Sequence, residues 1–241
     1  VFEDAAVGYG GKPVLSGLTF RVERGQTLAV VGGTGVGKTT LLKLILRFLD
    51  AEQGSVRIGG KDVREITQKD LRAALGYAPQ KSVLLSGTIR QNLAFADPTL
   101  SDETLSEAAK IACADEFIAE KGGLSAEVAQ GGRNFSGGQK QRLSIARAVA
   151  KKPKIVLFDD SFSPLDFATD ARVRRNLSEQ LPDVTKVIVA QRISTVREAD
   201  VIVVLDGGTA VGVGTHETLL KTCGVYREIA QSQLSEEELA V

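Results

Sequence analysis

The chain has 241 residues, 43% hydrophobic and 25% charged, which suits one large α/β domain or two small ones. Its 30 Lys plus Arg balance 30 Asp plus Glu, so no basic footprint for nucleic acid is expected. No apolar run approaches the roughly 18 residues that span a bilayer, and no signal peptide is visible. The chain starts at Val1 and holds no methionine, so it is expected to be a piece of something longer. Cys113 and Cys223 lack metal or redox spacing and are expected as buried thiols in a reducing compartment. His216 follows Gly214-Thr215 and is expected to open a helix rather than to do chemistry.

In chain order, Phe2 to Val7 predicts a strand, Tyr9 to Pro13 a turn, and Val14 to Val22 a second strand. Thr27 to Val31 is an apolar, β-branched strand, and Thr40 to Phe48 an apolar helix. Gly54 to Val63 reads as a short strand, a glycine turn and a return, which suggests a small antiparallel sheet. Ile66 to Ala74 is helical, and Leu75 to Gln80 a strand that ends in a polar loop. Helices are predicted over Thr88 to Ala94, Ser101 to Ala114 and Gly138 to Ala150, a separate helical lobe. Then come a strand at Ile155 to Phe158, a helix at Ala168 to Leu181, a strand at Lys186 to Ala190, a short helix at Ser194 to Ala199 and a strand at Val201 to Leu205. Continuous apolar strands alternating with helices imply a parallel sheet covered on both faces. The tail from Ser235, with Glu236-Glu237-Glu238, is expected to fray.

Between the strand at 27–31 and the helix at 40–48 stands Gly32-Gly33-Thr34-Gly35-Val36-Gly37-Lys38-Thr39, a match to G-x-x-x-x-G-K-[ST]. Glycines let the backbone curl round a phosphate chain with its N–H groups inward, and the helix start adds partial positive charge. Lys38 is expected to reach the β- and γ-phosphates, and the Thr39 hydroxyl to ligate Mg²⁺. Thr40, next in line, is counted with the nucleotide-binding residues.

A second motif, Asn134-Phe135-Ser136-Gly137-Gly138-Gln139-Lys140-Gln141-Arg142, together with Ile155 to Asp159, strongly resembles the nucleotide-binding domain of ABC transporters. The resemblance runs from Phe2 to Gln233. It implies a RecA-like P-loop NTPase core, with an antiparallel β subdomain, over 1–80 and 151–241, and a helical subdomain over 81–150. It implies ATP and Mg²⁺ as cofactors, Tyr9 stacked on adenine, Gln80 touching Mg²⁺ and the γ-phosphate, and Asp159 supporting Mg²⁺. Ser136 to Gln139 is the signature, and Ser163-Pro164-Leu165-Asp166 matches a loop usually read Ser-Ala-Leu-Asp. In the family, two such domains pair head to tail, and the signature and Asp166 serve ATP held by the partner.

Ser86-Gly87-Thr88-Ile89-Arg90-Gln91-Asn92, with Glu127-Val128 and Gly131-Gly132, resembles the exporter version. That implies transmembrane domains on the same polypeptide and a place on the cytoplasmic face of the cell membrane. Two positions depart from the family pattern. Asp160 stands where a glutamate polarises the attacking water, its reach shorter by about 1 Å, a misplacement that can cost about 10²-fold in rate. Gln191, in Ala190-Gln191-Arg192-Ile193-Ser194-Thr195, stands where the family has a histidine, and an amide cannot shuttle a proton. Together they resemble the degenerate half of a heterodimeric exporter, whose partner keeps glutamate and histidine. Alternatives are an ordinary homodimeric ABC ATPase, a regulatory ATP-holding subunit, and a soluble ABC ATPase of DNA repair or translation. The last is disfavoured by the neutral charge and the lack of coiled coils. No nucleic-acid partner is expected.

Overall fold

In a computed structural model of the protein, residues 1–235 are described; of the tail expected to fray, only Ser235 falls among them. The chain opens with β1 (Phe2–Tyr9), which turns at Gly10-Gly11 into β2 (Lys12–Phe20). β3 (Thr27–Gly32) leads through the glycine loop to α1 (Lys38–Ile45), and β4 (Gln53–Ile58), β5 (Lys61–Asp62) and α2 (Gln68–Ala74) follow. Next come β6 (Leu75–Ala78), β7 (Gly87–Thr88), α3 (Ile89–Leu93), α4 (Asp102–Ile111), α5 (Asp115–Glu120), β8 (Glu127–Val128), α6 (Gly137–Ala150), β9 (Ile155–Asp159) and α7 (Phe167–Gln180). The chain continues through β10 (Thr185–Val189), α8 (Ile193–Val196), β11 (Val201–Asp206), β12 (Thr209–Gly214), α9 (His216–Thr222) and α10 (Gly224–Gln231).

These elements form two units: Val1–Leu75 with the chain from Thr185 onward, and Gly76–Val184. In the first unit, the expected small sheet is a four-stranded antiparallel one in the order β2-β1-β4-β5. Its register opposes Phe2 to Phe20, whose rings stack 4.5 Å apart. β3 lies between β10 and β11 and runs parallel to both. Leu28, Ala29, Val30 and Val31 are all buried. A strand covered on both faces has no polar side to show, which is why this segment reads as an unbroken apolar run. β12 returns antiparallel along β11, and α9 and α10 follow it. Thr215 caps α9 through the Thr218 amide, so His216 is indeed its first residue.

In the second unit, the buried faces of α4 (Leu105, Ala108, Ala109) and α6 (Leu143, Ile145, Ala146) pack together. The helix expected to run on to Ala114 stops at Ile111. Cys113 takes φ 53°, its amide bonds back to Lys110 O, and that of Ala114 bonds to Ala109 O. These two bonds make a Schellman closure in which a cysteine does what glycine commonly does. Arg142 of α6 fastens the turn by donating from Nη1 to Cys113 O at 2.5 Å. β7 pairs with β8, Gly87 opposite Val128 and Thr88 opposite Glu127, so two separate exporter-like segments meet in one ladder. The residues expected as a helical lobe, 81–150, lie in this unit together with β9 and α7.

Candidate nucleotide-binding site

The phosphate loop lies wholly in the first unit, between β3 and α1. Gly37, the N-cap of α1, sits at φ 102° and provides no side-chain cap. The first amides of α1 therefore keep no side-chain acceptor from their own cap, which leaves them suited to an anion. A Cβ on Gly37 would come 2.5 Å from Cδ2 of the fully buried Leu15, so only glycine fits. Gly35 sits at φ 81° with open space where its Cβ would point. There the glycine serves backbone conformation and leaves the concavity clear. Lys38 is buried, and its Nζ donates to the carbonyls of Gly32 at 2.8 Å and Gly33 at 2.5 Å. The loop thus folds round an ammonium that already faces its own backbone. Thr39 is exposed beside it and Thr40 is buried. The Val36 side chain lies against Gly32 and Gly33, where their Cβ atoms would point, and Thr34 is exposed. A glycine loop leading into a helix start, with a lysine and a hard hydroxyl oxygen beside it, fits a Mg²⁺-bound triphosphate.

Two further expected residues belong to this unit. Tyr9 ends β1 and is 43% exposed, and Lys43 Nζ of α1 stands over its ring, 5.8 Å from the centroid. An exposed aromatic side chain is suited to stacking. Gln191 follows β10, whose backbone continues along β3 through the bond from Ala190 N to Val30 O at 3.3 Å. Gln191 is exposed, and its own carbonyl accepts from Gln233 Nε2 at 2.8 Å.

The second unit holds the carboxylates. Asp159 ends β9 and Asp160 follows; both are buried. Gln80 Nε2 donates to Asp160 Oδ2 at 3.2 Å, and Tyr77 Oη donates to Asp159 Oδ2 at 3.3 Å. Burial first, and the Asp159 charge second, push the Tyr77 phenol up to about 12, so it stays a donor at neutral pH. Asp160 holds φ at 48°, and its carbonyl accepts from Ser163 Oγ at 3.1 Å.

The signature also lies in this unit. Ser136 caps α6: its Oγ accepts from Gln139 N at 3.2 Å, and Gln139 Oε1 accepts from Ser136 N at 3.0 Å. This capping box uses both side chains to fix the helix tip. Gly137 has open space where a Cβ would point, and at Gly138 the nearest atom would be Pro164 O at 3.5 Å. Asp166 caps α7, accepting from Thr169 N at 2.9 Å and from Thr169 Oγ1 at 2.8 Å. Those bonds hold its carboxyl below the usual range.

The structure brings Gln80 to Asp160, and the signature helix to the Gln80 loop. The second link is made by Gln141, a residue the motif reading passed over. It is only 1% exposed. Its Nε2 donates to Pro79 O at 3.3 Å, and its Oε1 accepts a short bond from Ser82 Oγ. The signal was its phase: 141, 145, 148 and 149 share the apolar face of α6. No local signal marked Gln233 or Tyr77.

A family model described as ABC transporter matches residues 15–163. The chain is 47% identical over 224 residues to an uncharacterized ABC transporter ATP-binding protein of Mycobacterium tuberculosis, which covers 92% of this chain and 38% of that protein. It is 38% identical over 233 residues to the ATP-dependent lipid A-core flippase of Desulfotalea psychrophila, covering 96% of this chain and 41% of the flippase. The solved structure of a bacterial Atm1-family ABC exporter with ATP bound matches with a TM-score of 0.92 at 39% identity, over 98% of this chain and 42% of the other. The chain therefore spans about two fifths of the length of these relatives. Among the described residues no helix is long and apolar enough to cross a membrane.

Proposed function

From a chain that belongs to the ABC transporter family, as a nucleotide-binding domain with the P-loop NTPase fold and homologous to those of exporters, we propose a domain that holds Mg·ATP firmly and hydrolyses it slowly. Residues 1–80 and 151–241 form its nucleotide-binding core, and 81–150 its helical subdomain. Lys38 and the amides of Gly32 to Thr40 bind the phosphates, and Tyr9 stacks on the adenine. Thr39, Gln80 and Asp159 supply oxygens for Mg²⁺, which when bound neutralises charge on the phosphates.

Asp160 and Gln191 stand at the two hydrolytic positions. Asp160 keeps a carboxylate, but with shorter reach. Gln191 can donate a hydrogen bond to a γ-phosphate and cannot return a proton. One observation carries the reading: the phosphate-holding features are complete, with Lys38 already set among the loop carbonyls, while both departures fall on the chemical groups. Ser136 to Gln139 and Asp166 serve the ATP of a second, non-identical domain that keeps glutamate and histidine. ATP-driven pairing of the two moves transmembrane domains carried on the same polypeptide, at the cytoplasmic face of the cell membrane. No nucleic-acid partner enters this reading.

The test is phosphate release with Mg·ATP at saturation. The wild type is expected to bind ATP yet turn over far below a typical enzyme rate of about 10 s⁻¹. The double variant Asp160→Glu with Gln191→His is expected to gain about 10²-fold. Brisk turnover by the wild type alone would make it an ordinary homodimeric ATPase.

A further inference from the structure

Helix α8 begins at Ile193, just after the Gln191 position, and its N-cap residue, Arg192, makes no side-chain cap bond. A helix start in that state leaves an amide donor without the acceptor that Ser, Thr, Asp or Asn would bring. Here the acceptor arrives from 40 residues away: Ile193 N donates to Gln233 Oε1 at 2.8 Å. The other end of the same amide donates to Gln191 O, also at 2.8 Å. One side chain thus grips the carbonyl before Arg192 and the N–H after it. Arg192 is held extended, at φ −91° and ψ 127°. The bond to Gln191 O pins the peptide plane that follows Gln191, and so the backbone from which its side chain leaves.

Gln233 is itself held in place. Its amide and that of Leu234 bond to Ala230 O at 3.0 and 2.9 Å. Ala230 and Tyr226, the buried residues of α10, anchor the helix. Tyr226 Oη lies 2.7 Å from His216 Nδ1 of α9.

We infer that Gln233 is a positioning residue for Gln191, so that the segment just after α10 sets how well the domain tells ATP from ADP. The inference rests on the reading of Gln191 as the γ-phosphate contact. Because Gln233 grips backbone only, it acts whatever side chain stands at 191.

The experiment measures Mg·ATP and Mg·ADP affinity in the intact protein for wild type, Gln233→Ala and Gln191→Ala, with amide exchange at Ile193 alongside. In Gln233→Ala, exchange at Ile193 is expected to quicken and ATP affinity to fall about five- to tenfold, as for the loss of one hydrogen bond, with ADP affinity unchanged. Gln191→Ala is expected to lose the same preference without faster exchange at Ile193. Unchanged exchange in Gln233→Ala overturns the inference, and so does an equal loss of ATP and ADP affinity, which would mark a purely structural cap. If Gln191→Ala alone loses the preference, the inference fails and the reading of Gln191 stands. If neither variant loses it, both fail.

Discussion

The side-chain amide of Gln80 donates to the carboxylate of Asp160 across 3.2 Å, although 80 residues separate them in sequence. Asp160 meets that amide from a left-handed backbone, φ 48°. Most L-residues lose about 1–2 kcal/mol there, and Asp and Asn lose less because a short polar side chain can bond locally. The shorter acid therefore suits its backbone as well as its partner. Asp160→Glu is expected to lower folding stability by about 1 kcal/mol, and Asp160→Asn by less than about 0.5 kcal/mol. Urea unfolding of both variants measures this; equal losses would show that the backbone plays no part in the choice of aspartate.

Two glycines of the phosphate loop are expected to respond very differently to one methyl group. At Gly37 the methyl would strike the buried Leu15 side chain at 2.5 Å, on a backbone at φ 102°. Gly37→Ala is expected to cost about 3 kcal/mol or more. At Gly35 the space is open and only the conformation at φ 81° resists, so Gly35→Ala is expected to cost about 1 kcal/mol. Thermal melts of the two variants, compared side by side, give the ranking.

Gln141 braces the Gln80 loop from the signature helix through Pro79 O and Ser82 Oγ. Gln141→Leu keeps the volume and strands both partners, an expected loss of about 1–3 kcal/mol. Gln141→Glu keeps the acceptor for Ser82, loses the donor to Pro79 and buries a charge, so it should be the worse of the two. Amide exchange over 79–85 is expected to quicken in both. An undisturbed loop in Gln141→Leu would show that the brace is idle.

His216 is the only histidine in the chain, so its titration can be followed without ambiguity. Burial, then the Arg197 charge, lowers its pKa, with Glu217 pulling the other way. Tyr226, pushed up to about 12 by burial, stays protonated, and its Oη lies within hydrogen-bond reach of Nδ1 at 2.7 Å. A lowered folded value means that the unfolded chain binds the proton first. The contribution of His216 is therefore present above the ordinary imidazole value of about 6.5 and is lost as pH falls through it towards the folded value. Melting temperature is expected to drop between about pH 7 and pH 5 in the wild type, and the part due to this group to vanish in His216→Asn. An NMR midpoint at or above about 6.5 would contradict the assignment.

What the sequence determined by itself was local and contiguous. The strand, glycine loop and helix at 27–45 are encoded in adjacent residues, because glycine conformation and apolar periodicity act over a few positions; the helix stops at Ile45, short of the expected Phe48. The same holds for His216 as a helix start. The order of motifs was enough to imply the family and its P-loop fold. Tertiary structure alone decided which side chains meet: Gln80 with Asp160, Gln141 with Pro79 and Ser82, Gln233 with the backbone on both sides of Arg192. It also ended α4 early, where Arg142 fastens the Cys113 turn. A hydrogen bond between residues 40 or 80 positions apart leaves no period in the sequence. It forms only once packing has brought both partners together and has already met the entropy of closing the loop between them.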